Sequence, residues 1–427
     1  MQLVAYGAQD VYLTGNPQIT FFKVVYRRHT NFSMEAIQQT FNGNVTSTSS
    51  TVTATISRNG DLVSNLWLDI KLPTPAGGAA GNVYNQWANN TGHAFIKEVE
   101  LEIGGQRIDR QYGQWLDVWN ELTDHHEEEW IGLNKHKAQN AYLKSGTSGT
   151  DALGALRLYV PLKFWFCRNP GLALPLIALQ YHEVKVKLVT RGIAGLINSD
   201  GTLAAGTTGP SETKLWADYI YLDTDERRRF AQVSHEYLIE QVQREQSTMS
   251  LSQKLNFNHP IKELIWTIQD NSRATENTAV GATDCDPTAT AAGAANVEKN
   301  DYFNYSDNDT HDTEIVGTQT SVEGFATLKL QLNGHDRFAA RNASYFRTCQ
   351  PLQAGHKVPS KHVYCYSFAL KPEEHQPSGT CNFSRIDNAK MTFTSGGTPA
   401  SSTLTVWAVN YNVLRIMSGM GGLAYSN

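Results

Sequence analysis

The residues best suited to chemistry in this 427-residue chain form the run His125-His126-Glu127-Glu128-Glu129. Histidine and carboxylate side chains bind metal ions, but histidines at neighbouring positions point in different directions on a helix or a strand. The helical zinc-protease motif needs its two histidines at i and i+4, so that both face the metal. The spacing therefore favours a solvated polar loop over a metal centre.

Two other groups have residue types that could support catalysis. His335-Asp336 could form half of a catalytic triad, but no GxSxG nucleophile elbow accompanies it, and a turn explains the pair better. One strand face carries Glu98, Glu100 and Glu102, and paired carboxylates of this kind occur in glycosidases. The solvent-exposed face of any sheet gives the same pattern. No phosphate-binding or dinucleotide-binding glycine motif stands between a strand and a helix. We therefore expect a protein that is not an enzyme and has no cofactor or metal site.

The charge of the chain argues against nucleic acid as a direct partner. The chain has 36 Lys and Arg against 41 Asp and Glu, a formal net charge of -5 at pH 7. Such a chain has no basic field that would hold a phosphate backbone. Charged residues make up only 18% of the sequence, which suits short strands and turns better than long surface helices.

The cysteines are odd in number and widely spread, at Cys167, Cys285, Cys349, Cys365 and Cys381. This pattern indicates reduced thiols in a cytosolic compartment and not a disulfide framework. A zinc site is the weaker alternative, because no close CxxC pair starts one. The first residues lack the pattern of a signal peptide, and no apolar run is long enough to span a bilayer.

Alternation of apolar and polar residues with period two dominates the chain and predicts half-buried strands. The predicted strands lie at 51–56, 66–72, 98–103, 184–189, 215–222, 328–332 and 404–411. Segments of this kind, separated by turn-rich loops, favour antiparallel sheets stacked as sandwiches. One helix is predicted, because Trp115, Val118, Trp119 and Leu122 form an apolar stripe, and we expect it to cover the open end of a sandwich.

An internal echo recurs at a spacing of roughly 200 residues, which is a domain-sized interval. Because its elements keep their order, the echo favours a duplicated sandwich. The charged run 223–229 then lies between the halves, and a solvated or self-paired linker explains it better than an anion site at its three arginines. The echoing pairs are 59–67 with 258–266, 101–105 with 330–334, and 164–166 plus Pro175 with 366–368 plus Pro377.

Long stretches rich in Gly, Ala, Thr and Asn hold too little apolar mass to pack, so surface loops are predicted at 73–82, 145–154, 198–213 and 272–320. Asn304 and Asn308 carry glycosylation sequons inside the longest of these loops and are the candidate glycosylation positions. The number of sequons in the chain is what chance supplies, and the cysteine usage argues against the secretory route.

Three long runs resemble major capsid proteins of nucleocytoplasmic large DNA viruses, and most closely those of the algal-virus branch. The first run extends from Gly7 through Pro17 to Tyr26-Arg27-Arg28, and the second from Trp165 to His182. The third joins Tyr366 to Leu370 with Pro377 to Asp387. The resemblance covers nearly the whole chain.

The resemblance implies an all-β chain of two consecutive eight-stranded antiparallel jelly-roll sandwiches with a few short helices. It divides the chain into an N-terminal arm at the capsomer base (1–26), a first jelly roll (27–222) and a second (223–427). It also implies that homotrimers form pseudo-hexagonal capsomers, which tile the icosahedral shell of a large double-stranded DNA virus. The implied partners are minor capsid proteins and an inner membrane layer, with assembly in the host cytoplasm.

Two other classes of protein fit a β-sandwich, a glycan-binding attachment protein and a sugar-cleaving enzyme. A lectin would present aromatic rings on exposed loops. Here the tryptophans fall on predicted strands or on the helix stripe, where core packing is favoured; they are Trp67, Trp115, Trp119, Trp165, Trp266 and Trp407.

Overall fold

The computed structural model describes residues 7–24, 28–73, 85–88, 90–123, 156–199, 209–274, 300, 302–305, 323–394, 396 and 401–425. Antiparallel sheets are the main regular structure among these residues. The predicted strands are confirmed, and two of them are longer than predicted, at 62–72 and 402–417. Among the described residues, no helix has the length and apolar character needed to cross a membrane.

The first half of the chain folds into two facing sheets with the orders β1-β12-β4-β8 and β2-β3-β10-β6-β7; β9 pairs with β4, and β11 with β5. Its strands are β1 (Phe32–Gln39), β2 (Phe41–Asn42), β3 (Thr51–Thr55), β4 (Leu62–Leu72), β5 (Asn85–Trp87), β6 (Ile96–Ile103), β7 (Gln106–Tyr112), β8 (Leu156–Pro161), β9 (Leu174–Pro175), β10 (Val184–Thr190), β11 (Ile197–Ser199) and β12 (Glu212–Leu222).

The second half repeats the plan, with the sheet orders β13-β22-β15-β19 and β14-β21-β16-β17; β20 pairs with β15, β23 with β22 and β18 with β16. Its strands are β13 (His235–Thr248), β14 (Ser252–Leu255), β15 (Pro260–Asp270), β16 (Thr327–Leu332), β17 (His335–Asp336), β18 (Arg341–Asn342), β19 (Val363–Ser367), β20 (Cys381–Asn382), β21 (Ala389–Phe393), β22 (Ser402–Met417) and β23 (Met420–Leu423).

The two strand orders coincide once each half is read from its own first strand, so the duplication predicted from the sequence is confirmed. Strands β1, β4, β8 and β12 correspond to β13, β15, β19 and β22. The hairpin echo is confirmed too. Gly104 and Gly105 turn β6 into β7 with φ of 59° and 82°, and Asn333 and Gly334 turn β16 into β17 with φ of 50° and 82°. Positive φ at both central residues matches the twist of a tight two-residue hairpin.

Short helices connect the strands. They are α1 (Ala8–Thr14), α2 (Thr91–Phe95), α3 (Gly113–Leu122), α4 (Trp165–Arg168), α5 (Thr224–Gln232), α6 (Asn271–Ala274) and α7 (Gln350–Ala354). Tighter helical turns lie at Pro170–Leu172, Ile193–Leu196 and Phe383–Arg385, and a wider one at Tyr345–Cys349. Most of the first sandwich's core and one side of the second sandwich form a continuous apolar cluster.

The charged run 223–229 joins the two halves and is mostly exposed, which confirms the prediction of a solvated linker. Residues 224–232 form the helix α5, which begins after Asp223, whose carboxylate accepts a hydrogen bond from the Thr224 amide at 2.8 Å. The Arg227 guanidinium pairs with the buried Asp61 carboxylate at 2.9 and 3.1 Å. An acidic first turn favours the positive end of a helix, so the alternating charges fold locally and also attach the helix to the first sandwich.

Candidate functional site

A buried contact surface joins the two sandwiches. We call it the inter-sandwich interface: the outer face of the sheet β13-β22-β15-β19 on one side, and β7, α3 and α4 on the other. Alternate residues of β22 face in opposite directions. Val406 and Ala408 lie in the second sandwich's own core, whereas Trp407 and Val409 lie in the core shared with the first sandwich. This sheet is therefore covered on both faces, which explains its nearly continuous burial.

Aromatic rings fill the centre of this interface. Trp115 of α3 and Trp407 of β22 are both 0% exposed, and their ring centroids are 5.7 Å apart. Tyr112 approaches Trp407 at 5.6 Å. On the polar side of α3, Lys361 Nζ contacts Asp117 Oδ1 at 2.8 Å. The apolar stripe of this helix is buried, as predicted, and the helix packs between the two sandwiches.

Strands β7 and β13 are joined by side chains that bind backbone groups. The Val242 amide donates to Asp109 Oδ1 at 3.2 Å, and the Gln241 side-chain amide donates to the Ile108 carbonyl. Burial raises the pKa of Asp109 to about 6, against the opposing effect of the hydrogen bonds that it accepts. These contacts satisfy polar groups that would otherwise be buried without partners.

A charged cluster lies beside the aromatic rings. Glu240 of β13 contacts Arg168 of α4 at 2.8 Å through Oε2 and Lys262 of β15 at 2.8 Å through Oε1. The Lys262 side chain is 0% exposed. Burial alone would raise the pKa of Glu240, but the His375 contact and the charges of Lys262 and Arg168 outweigh it and lower the pKa to about 2. Glu240 is therefore an ionised bridge between the sandwiches.

His356 contacts two carboxylates within the second sandwich. Its Nε2 lies 2.8 Å from Glu263 Oε2, and its Nδ1 lies 2.7 Å from Glu373 Oε1. An ionised carboxylate only accepts hydrogen bonds, so with both glutamates ionised each ring nitrogen donates a proton and the ring is an imidazolium. Burial works against this charge, but the two glutamates outweigh it and raise the pKa of His356 to about 9.

We expect the charge on His356 to make the fold less stable in alkali. A group whose pKa is raised on folding contributes its full stability below the unfolded value, near 6.5, and loses it as pH rises through about 9. The free energy of unfolding should fall by roughly 3 kcal/mol across that window. Urea titrations of the wild type and of His356→Gln at several pH values would measure this loss.

The comparison depends on the difference between those two proteins, since other groups also titrate above pH 8. His356→Gln should lack this fall, and Glu373→Gln, which keeps the Glu263 contact, should show a smaller one. Parallel pH profiles for the wild type and His356→Gln would contradict an imidazolium at this position.

A short segment of the second half of the chain is inserted against the first sandwich. Tyr302 donates a hydrogen bond from its hydroxyl to the Gly195 carbonyl at 2.9 Å. Tyr305 donates to Asp117 Oδ2 at 3.2 Å. Asn300 donates to the Ile197 carbonyl at 3.2 Å. The prediction of a surface loop over 272–320 is therefore wrong at residues 300 and 302–305, which are buried.

The two candidate glycosylation positions are Asn304 and Asn308. Asn304 is 8% exposed within the buried segment, a position that argues against a bulky glycan on the folded chain. Asn308 lies outside the described residues. Glycosylation at both residues stays a prediction.

Among the described residues, the candidates for catalysis lie on two separate strands, β6 and β17. The run 125–129 lies outside the described residues. His335 and Asp336 are exposed on β17, where Asp336 pairs with Lys329 at 2.7 Å. Glu98 and Glu100 both contact Arg110, at 3.1 Å from Glu98 Oε1, as expected for a paired sheet face. The four described cysteines are free thiols, and burial raises the pKa of Cys167 to about 12.

Sequence reasoning missed the charged cluster and the His356 contacts. The available signal was the charged pair Lys262-Glu263 directly before the apolar run 264–266 of the strand Pro260–Asp270. Charges in a buried strand require partners, but those partners come from distant segments. The charged side chains of the cluster pair with one another across the interface, and the chemistry of the arrangement is that of a rigid joint.

Two family models match the chain in succession. A model described as major capsid protein N-terminus matches residues 20–223, and one described as large eukaryotic DNA virus major capsid protein matches residues 226–422. The chain is 47% identical over 454 residues to the major capsid protein of Pyramimonas orientalis virus, and 43% identical over 457 residues to that of Paramecium bursaria Chlorella virus 1. Each alignment covers 100% of this chain and 99% of the relative.

Solved structures agree with these matches. A chain of the quasi-atomic model of the PBCV-1 virus capsid superimposes with a TM-score of 0.75 at 40% identity, covering 96% of this chain and 100% of that one. The Faustovirus major capsid protein has a TM-score of 0.70 at 13% identity, over 96% of this chain and 94% of that one. At that low identity the likeness shows the fold alone.

Proposed function

Because this chain belongs to the family of large eukaryotic DNA virus major capsid proteins, we propose that three copies of it form a pseudo-hexagonal capsomer and that many capsomers tile an icosahedral shell. The chain is a structural component of the virion capsid and not an enzyme. The single observation that carries the proposal is the duplicated strand order of the two jelly-roll sandwiches.

Duplication matters because it reconciles two symmetries. A ring of three identical chains has threefold symmetry, whereas a position in a close-packed lattice has six neighbours. Two alike sandwiches in each chain give such a ring six similar wedges, so that it fits the lattice position. The inter-sandwich interface supports this function, since it holds the two wedges of one chain in a fixed relation.

The division of the chain that we propose is an arm (1–26), a first jelly roll (27–222) and a second (223–427). The two family matches, over 20–223 and 226–422, support the boundary between the two jelly rolls. Within the arm, Phe21 and Phe22 are 90% and 98% exposed. Apolar side chains so exposed favour an arm that binds another molecule, and we propose minor capsid proteins and an inner membrane layer beneath the shell. Assembly in the host cytoplasm is part of the same proposal.

Native mass spectrometry of the purified chain tests the trimer directly. We expect a dominant species of three 47.4 kDa chains, and electron micrographs of the same sample should show particles with a six-sided outline. A chain that remained monomeric and bound glycans specifically would contradict the proposal and favour an attachment protein.

A further inference from the structure

A cleft of about 580 Å³ opens beside the inter-sandwich interface. Both sandwiches line it: Glu98 and Tyr112 come from the first, and Arg244 and Thr403 from the second. We call it the junction cleft. Its volume lies within the range of about 300–1,000 Å³ that is usual for sites of small ligands. The cleft keeps its shape only because the interface holds the two sandwiches in a fixed relation.

The lining of the junction cleft is positively charged, although the chain as a whole is negative. Its described side chains include three cations, Lys97, Arg191 and Arg244, and one carboxylate, Glu98. The Glu98 carboxylate already contacts Arg110, at 3.1 Å. In a chain with a formal net charge of -5, this local excess of positive charge favours an anionic ligand over a neutral or cationic one.

Aromatic rings hold the two guanidinium groups of the cleft in place. Arg244 lies over the Tyr112 ring at 3.6 Å from its centroid, and Arg191 lies over the Tyr302 ring at 4.0 Å. Arg191 Nη1 also donates to the Ala94 carbonyl at 2.6 Å. A stacked guanidinium uses its flat face, and its hydrogen-bonding edge matches the two oxygens of a carboxylate. Both groups are positioned before a ligand arrives, which lowers the entropic cost of binding.

Amide and hydroxyl side chains make up much of the remaining lining. The Gln114 amide donates to Gln269 Oε1 at 3.4 Å, and the Thr403 hydroxyl donates to Asn271 Oδ1. Gln246 is exposed at the edge of the cleft. A carboxamide carries both donors and acceptors, as a sugar hydroxyl does. Such a lining suits a ligand that has several hydroxyl groups as well as a negative charge.

We propose that the junction cleft binds an acidic saccharide, with Arg191 and Arg244 on a carboxylate of the sugar and the amides of the lining on its hydroxyls. The partner is therefore a polysaccharide that carries carboxylate groups. A nucleic acid fits less well, because its phosphates require basic residues along a longer track than one cleft supplies. This inference goes beyond the proposed capsid function and does not depend on how many copies form a capsomer.

Calorimetric titration of the native protein tests the site, with trigalacturonate as the acidic probe and maltotriose as a neutral trisaccharide. We expect trigalacturonate to bind, and to bind more weakly as NaCl is raised, because salt screens exposed charges. Maltotriose should not bind measurably. Arg244→Gln removes a charged donor, and Gln246→Glu adds a carboxylate at the edge of the cleft. Each should weaken trigalacturonate binding by roughly tenfold or more.

The matched control is Arg228→Gln, which also removes one arginine charge. Arg228 is exposed on α5, and α5 leads into the start of β13, whereas Arg244 lies toward the other end of that strand. Trigalacturonate affinity should be unchanged in this variant. Circular dichroism and native mass spectrometry should show the wild-type secondary structure and the wild-type number of copies in all three variants.

The possible outcomes separate this site from the proposed capsomer. Equal affinity for trigalacturonate and for inorganic phosphate would show that the cleft binds charge alone and would overturn a saccharide site. Unchanged trigalacturonate binding in both cleft variants would place the binding elsewhere and overturn the assignment too. A trimeric wild type that bound no acidic sugar would overturn this inference and leave the capsomer standing. A monomeric wild type that bound trigalacturonate through Arg244 would support the cleft and contradict the capsomer.

Discussion

Replacing Trp407 with alanine will lower the free energy of unfolding by about 3–5 kcal/mol, the usual cost of removing a large side chain from a packed core. The indole is 0% exposed. Its ring contacts Tyr112 and Trp115 of the first sandwich, so the void would open between the two sandwiches. Urea unfolding followed by tryptophan fluorescence and by far-ultraviolet circular dichroism, at equal protein concentrations, would measure the loss.

Two further variants serve as controls for the Trp407→Ala prediction. Trp407→Phe keeps an aromatic ring and removes the indole nitrogen, which has no hydrogen-bond partner, so it should cost far less than alanine. Trp67→Ala removes a tryptophan that is only half-buried on the outer face of β4, and its cost to the isolated chain should also be smaller. Equal losses for Trp67→Ala and Trp407→Ala would contradict a special role for the inter-sandwich interface.

The strands were predictable because the alternation of apolar and polar residues that indicates a strand lies within the strand itself. Strand β6, for example, alternates apolar residues with Glu98, Glu100 and Glu102, and one face of its sheet is polar, as expected. The echo at 101–105 and 330–334 was predictable for the same reason, since two residues with positive φ leave a recognisable turn. Period and turn chemistry therefore sufficed for the all-β class and for the duplication.

The faces of equivalent strands were not predictable. Trp67 and Trp266 echo each other in the sequence and lie on the equivalent strands β4 and β15. Trp266 is 0% exposed in the second core, whereas Trp67 points to the outer face. The pairing of each strand contains a register irregularity. In β4 it lies between the residues that pair with Asp218 and Tyr219 of β12, and in β15 it follows Ile261. A shift of one residue reverses every side chain beyond it, so a sequence echo does not establish orientation.

The inter-sandwich interface was not predictable because its partners are distant in the chain. The stripe of α3 correctly predicted a helix with a buried face, but nothing local indicates that Trp115 meets Trp407. The segment 302–305 is buried because Tyr302 and Tyr305 find acceptors on the first sandwich. The residues that flank this segment have a composition typical of a loop. A prediction from composition averages over many residues, so it does not detect two tyrosines in a short segment.

Replacing Glu240 with leucine will lower the free energy of unfolding by about 3–5 kcal/mol, because removing one member of a buried ion pair leaves the other charge uncompensated. Lys262 has no exposed surface and lies 2.8 Å from Glu240. Arg168 also loses its partner across the interface, but it is 18% exposed and stacks over Trp119 at 4.3 Å. The cost should therefore come mainly from Lys262.

The double variant Glu240→Leu/Lys262→Met separates a loss of charge balance from a loss of packing. Removing both charges leaves an apolar pair of similar volume, and such replacements of buried ion pairs are often neutral or stabilising. We therefore expect the double variant to be more stable than Glu240→Leu alone, which urea titration of both proteins and of Lys262→Met would establish as a thermodynamic cycle. If the two single losses simply added, Glu240 and Lys262 would not act as a pair, and the cluster would contribute to the interface through packing alone.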